Sequence, residues 1–242
     1  MEPTPTNLPP GPTPERHRTT VLLLAATSGA LDAVGFLGLG GVFASVMTGN
    51  LVLLGLGVGA RNGSLATHAV VAIAAYVVGV VAAVRIARTR PGAPFRSRPV
   101  LLVELVLLVG FTVGWELAHG RPGIPVQLVL VGVAACAMGL QGAAVRESTG
   151  GGLSTTYLTG TLTGVVVALT SGRPVREAST GGTVLGASLA GAVVAGLVLT
   201  ASRSWAPAVP LAALIGALAA GRGQVAVATA AGPEGDAALD PG

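Results

Sequence analysis

The chain contains no lysine, and only 10% of its residues are charged. A water-facing globular surface carries roughly a quarter charged residues, so a soluble fold is excluded. Cysteine is almost as scarce. Cys136 stands alone, which rules out an intrachain disulfide, and it lies in an apolar run as a small core residue. Three histidines and that one cysteine cannot build a metal cluster. No Walker A sequence, H-E-x-x-H or C-x-x-C is present, and the glycine runs around Gly55–Ala60 follow no strand. The sequence therefore points to no enzyme, no metal and no cofactor.

What the chain has in abundance is apolar sequence. Hydrophobic residues make up 51%, with a mean hydropathy of +0.75, the signature of an integral membrane protein with the lipid bilayer as its main partner. All 14 basic residues are arginine and the formal charge is +4. They sit between apolar runs, where they set orientation, and make no nucleic-acid footprint. Residues 1–19 form a proline-rich tail and residues 223–242 a second loose tail, both read as disordered. The membrane domain is 20–222 between them.

Six runs are long enough to cross a bilayer, at roughly 20–39, 65–85, 99–118, 125–145, 181–201 and 205–221. Two further apolar stretches, 42–60 and 153–171, are also long enough, and charge placement decides how they are read. If all eight cross, arginines divide evenly between the two sides. If these two enter and leave by one face, eleven arginines fall inside and three (Arg61, Arg121 and Arg203) outside. The second distribution obeys the positive-inside rule. It predicts an all-α, multi-pass protein of the cell (cytoplasmic) membrane with six transmembrane helices, two re-entrant segments and both termini cytoplasmic.

The two re-entrant stretches share a motif. Gly40–Leu51 reads GGVFASVMTGNL and Gly151–Leu162 reads GGLSTTYLTGTL, with five of twelve positions identical. Each repeat, 20–118 and 125–221, then holds three crossings, and an odd number inverts the second repeat relative to the first. Two broken segments entering from opposite faces meet near the midplane, where irregular backbone must be satisfied by protein or water. Leu31-Asp32 aligns with Leu140-Gln141 just upstream of the motif. Small residues at four-residue spacing, Ala75, Gly79, Ala83 and Gly182, Gly186, Ala190, offer close helix packing.

Asp32 is the first candidate for function. A carboxylate in a span costs roughly 2.5–3.5 kcal/mol on insertion scales, so it must face a partner or water. Thr48-Gly49-Asn50 and Thr159-Gly160-Thr161 follow, as a glycine bend with hydroxyl or amide groups able to cap a half-helix and aim its dipole at a solute. Ser45, Thr155 and Thr156 add hydroxyls to the preceding arms. Asp32, Thr48, Gly49, Asn50, Gln141, Thr159, Gly160 and Thr161 are the predicted pathway for a small solute or ion. Glu104 is expected to reach Arg98 or water, His68 to lie at the interface, and Trp115 and Trp205 to anchor the outer interface.

On the stretches 28–57 and 137–166, SGALDAVGFLGLGGVFASVMTGNLVLLGLG and AMGLQGAAVRESTGGGLSTTYLTGTLTGVV, the chain resembles the YoaK family of bacterial membrane proteins, a domain of unknown function. The resemblance implies six spans. Gly142 stands where the family pattern has asparagine, so no binding role is carried over to that position. The reading is a small-solute transporter or channel with a central polar site, with a second copy of the chain as a candidate partner. The alternative is a non-transport membrane scaffold or a sensor. An intramembrane enzyme is the weakest class, because only Asp32 and Glu104 are at hand as acids.

Overall fold

The structure is a computed structural model and describes residues 14–88, 95–148, 158–171 and 175–221. Among these residues it is all helix: α1 (Pro14–Gly38), α2 (Met47–Gly59), α3 (Gly63–Ala87), α4 (Ser97–Leu117), α5 (Ile124–Ser148), α6 (Leu158–Thr170), α7 (Val175–Ala201) and α8 (Ala208–Ala220). A 3₁₀ turn at Arg203–Trp205 leads into α8. Six stretches are long and apolar enough to cross a membrane: Arg18–Gly38, Gly63–Ala87, Ser97–Leu117, Ile124–Glu147, Gly181–Ala201 and Arg203–Ala220. They match the six predicted spans. The helices α2 and α6 are shorter, 13 residues each, or about 20 Å at 1.5 Å per residue.

Helix starts follow local chemistry. The Asn62 side chain caps α3 by accepting from the Leu65 N–H at 3.1 Å. Pro99, Pro125 and Pro210 fall in the first turns of α4, α5 and α8, where a missing N–H costs nothing.

Contacts at the helix ends sort them onto two faces. On one, a Cβ at Gly38 would strike the Trp115 ring and one at Gly40 the His68 ring. There His68 also meets Gln127 Oε1 at 3.2 Å, the Trp115 indole N–H donates to Arg203 O at 2.8 Å, and Arg203 Nε donates to Gly120 O at 2.9 Å. On the other face, Arg88 pairs with Glu147 at 3.2 Å, the Arg96 N–H donates to Ala87 O, and Thr20 lies against Gly221. This second face, which we call the basic face, also holds Arg98 and Arg146 at helix ends.

Helix α1 packs along α7 and α8, α5 along α3 and α4, α2 along α3, and α6 along α7. The two closest crossings depend on glycine. Gly79 of α3 lies against the backbone of Cys136 on α5, and Gly139 of α5 against that of Tyr76. In the same way Gly29 of α1 meets Ser188 of α7, and Gly191 meets Ala26. Any Cβ there would overlap a backbone atom. Gly79 and Ala83 thus pack as their spacing predicts, both buried. The second predicted row does not: a Cβ at Gly182 or Gly186 would meet nothing, and Ala190 is exposed. The packed row of α7 is Gly181, Val184, Ser188, Gly191 and Ala195. Both rows satisfy the small-residue pattern, and only the azimuth of α7 against α1 distinguishes them.

Gly79→Ala and Gly191→Ala each lose about 1–3 kcal/mol through overlap, whereas Gly182→Ala loses nothing and gains up to about 1 kcal/mol of helix propensity. Thermal unfolding of the three purified variants in one detergent gives the order.

Candidate functional site

After α1 the chain reverses at Gly40 and Gly41, whose φ angles of +84° and +79° suit glycine and strain any residue with a Cβ. Residues 42–46 then return beside α1 without helical structure. Ser28 lies near the middle of the Arg18–Gly38 span, so this irregular backbone needs partners from the protein or from a water-filled cavity.

Asp32 meets that need from α1. Its carboxylate accepts the Ser45 N–H at 2.7 Å and the Ser45 hydroxyl at 2.5 Å. Ser28, one turn earlier on α1, donates its hydroxyl to Ser45 Oγ at 2.9 Å. Hydrogen bonds to a charged group contribute about 1.5–3 kcal/mol each, enough together to offset the cost of placing a carboxylate here. Asn50 completes the anchor from α2. It is fully buried, accepts the Phe43 N–H at 2.9 Å and donates to Phe43 O at 2.7 Å. One amide side chain thus satisfies both polar groups of one peptide residue. Gly49 leaves room for the Phe43 ring, 3.1 Å from where its Cβ would stand, and that ring stacks on Phe36 with centroids 5.0 Å apart.

The motif residues therefore play other parts than the expected cap. Val46 is the N-cap of α2 and makes no side-chain cap bond. Thr48, Gly49 and Asn50 lie inside the first turn, with Thr48 exposed. Asp32 and Asn50 are brought together on the two ends of the Phe43–Ser45 segment. Gln141 is separate: fully buried on α5, it donates Nε2–H to Leu24 O on α1 at 2.9 Å. Leu24, Ser28 and Asp32 follow one another at four-residue spacing, so Gln141 and the Asp32 cluster touch one stripe of α1 about 12 Å apart.

In the second copy Thr159, Gly160 and Thr161 form the first turn of α6, with Thr159 exposed and its carbonyl accepting from the Thr163 hydroxyl at 3.0 Å. Thr161 lies against Gly181 of α7. Gly151, Gly152, Thr155 and Thr156 lie outside the described residues. Helices α2 and α6 pack on α3 and α7, and neither lies along the other. The gap beside the 39–46 stretch, lined by Gly35, Leu39, Val42, Phe43, Ala44, Val131 and Ala134, is apolar and has no room for a water molecule.

Three residues differ from their sequence expectation. His68 is buried, not interfacial, bonded to Ser64 O at 2.7 Å and to Gln127. Trp115 is fully buried, while Trp205 is exposed. Glu104 reaches neither Arg98 nor water: it is fully buried, and neither carboxyl oxygen has a hydrogen-bond partner among the described residues. Sequence reasoning also passed over Ser28. Its one signal was its place four residues before Asp32.

Residues 20–220 match the family model described as "Protein of unknown function (DUF1275)". The chain belongs to this family. It is also similar to the "UPF0700 transmembrane protein YoaK" of Bacillus subtilis (strain 168), 33% identical over 149 residues, which are 60% of this chain and 64% of that protein. No solved structure matches. With six apolar helices and a bacterial transmembrane relative, this YoaK-like family member is a multi-pass membrane protein.

Asn50→Ala strands the Phe43 N–H and C=O without partners and destabilises the returning stretch by about 1–3 kcal/mol per group. Hydrogen–deuterium exchange at residues 42–46 should rise sharply in that variant and little in Thr48→Ala, whose side chain is exposed.

Proposed function

We propose that the protein is a small-solute transporter or channel of the cell membrane, built from two inverted three-span repeats, each carrying a re-entrant segment with a T-G motif. The observation that carries this reading is the pattern of helix packing. Exchanging α1 with α5, α2 with α6, α3 with α7 and α4 with α8 turns the contacts α1·α7, α1·α8 and α2·α3 into α5·α3, α5·α4 and α6·α7, all of them present. The glycine contacts follow suit, with Gly79 on Cys136 answering Gly191 on Ala26. A stretch that leaves α1 near His68, bonds to Ser28 at mid-span and ends with Gly57 against Ala66 has its two ends on one face. The second motif connects α5, which ends at the basic face beside Arg88, to the start of α7. Inverted repeats with broken segments are the architecture in which solute sites form near the midplane.

In this reading the solute meets Asp32 and the first turns of α2 and α6, with Thr48, Gly49, Asn50, Thr159, Gly160 and Thr161, once the apolar gap opens, while Gln141 holds α5 to α1. No catalytic role is assigned. The alternative, a membrane scaffold or sensor, is favoured by one observation: the gap beside the 39–46 stretch is lined by apolar side chains and has no room for a water molecule.

Flux decides between them. Vesicles containing the purified protein are shocked with a panel of sodium, potassium, chloride, urea and glycerol, and shrinkage is followed by light scattering. Transport predicts protein-dependent flux of at least one solute that Asp32→Asn abolishes without loss of membrane insertion. Unchanged flux in that variant would remove Asp32 from the pathway, and no flux for any solute would favour the scaffold. Orientation has its own test. In a Cys136→Ala background, Asn62→Cys should react with an impermeant thiol reagent from outside intact cells, and Ser97→Cys only after the inner side is opened.

A further inference from the structure

Glu104 lies seven residues into α4 from Ser97, about 10 Å from the basic end of the helix. Val100, Leu101, Leu108, Phe111 and Trp115 are buried with it, on the side of α4 that packs against α5 and α8. Other buried polar side chains have partners: Asn50 has Phe43, Ser28 has Ser45, and His68 has Ser64 and Gln127. Glu104 has none among the described residues.

Nor does a counter-charge face it among the described residues. Helix α8 carries no ionisable residue. On α5, Glu147 pairs with Arg88, Arg146 is exposed at the basic end, and Cys136 is the remaining ionisable group. On α3, His68 is bonded to Ser64 and Gln127, Arg85 is exposed, and Tyr76 lies on the stretch that crosses Gly139 of α5. On α4 itself, Arg98 and Glu116 are exposed near the two ends. None of these groups hydrogen-bonds the Glu104 carboxyl. A bare carboxylate in such a place has neither solvation nor pairing, whereas the neutral acid needs far less of either.

We propose that Glu104 is a proton-binding site, neutral in this arrangement of helices, that releases its proton when α4 shifts against α5 and α8 and opens the side chain to water at the basic face. The ligand is the proton itself. The arrangement with Glu104 buried and the arrangement with Glu104 ionised are then different conformers, and pH selects between them. This inference rests on the burial and isolation of Glu104, not on the transport reading, and its test needs no solute.

The test is infrared spectroscopy of the full chain in lipid nanodiscs near neutral pH. A protonated-carboxyl C=O band should be present, be lost in Glu104→Gln and survive in Asp32→Asn. Labelling with heavy-carbon glutamate should shift the same band in the native chain, which assigns it to a glutamate and not to Asp32, while its loss in Glu104→Gln assigns it to Glu104. On alkalinisation the band should disappear together with a change in Trp115 fluorescence, read in a Trp205→Phe background. Trp115 reports on α4 because it shares the buried face of Glu104 and stacks on Phe111. The fluorescence change should be absent when Glu104→Gln is added. An acid band that glutamate labelling does not shift, or no acid band at all, overturns the proposal. So does a fluorescence change that follows sodium at constant pH.

Discussion

Water does not reach the interior of a bilayer, and a peptide group there must find its partner within the protein. The stretch between α1 and α2 is where this constraint is felt most. It is irregular, it reaches the level of Ser28, and its N–H and C=O groups cannot bond to one another as helix groups do. Asp32 and Asn50 resolve the difficulty from two sides, one holding Ser45 and the other Phe43. The paired positive-φ glycines supply the reversal that brings the stretch back beside α1. The paired glycines, Ser45 and Asn50 of the motif are thus explained by one requirement, the solvation of a non-helical segment by its own protein.

That requirement complicates the reading of polar residues as a solute pathway. A side chain that satisfies the backbone and one that waits for a solute have the same composition. Asn50 is committed to Phe43 through both ends of its amide, and Asp32 accepts two bonds from Ser45 while remaining half-buried. Of the two, Asp32 retains the greater capacity for another partner, because a carboxylate offers about four acceptor sites. The rigidity of the anchor and the chemistry of a site are compatible only if the solute approaches Asp32 from its exposed edge.

Much of the architecture was legible in the sequence. Six spans follow from run length, and the duplicated T-G-x-L from comparing the chain with itself. What the sequence withheld is azimuth. Gly182, Gly186 and Ala190 make as good a row of small residues as Gly79 and Ala83, yet a Cβ at either glycine would meet nothing, because the opposite side of α7 meets α1. The same blindness affects Glu104, His68 and Trp115. Each lies close enough to a helix end for an interfacial reading, and each is turned inward by its helix. In a chain apolar on nearly every side, periodicity gives little indication of which side faces protein. The role of Asn50 was hidden for another reason: its partner is a backbone seven residues earlier, which no side-chain pattern records.

The crossings of α1 with α7 and of α3 with α5 bear on how the molecule is made. The face of α1 that meets α7 and α8, and the face of α3 that meets α5, are covered only by helices synthesised later. A nascent chain that has delivered α1 to α4 into the bilayer therefore holds glycine-lined surfaces and a buried acid without their mates. The seam on α3 closes once α5 has been made, and the one on α1 only after α7 and α8.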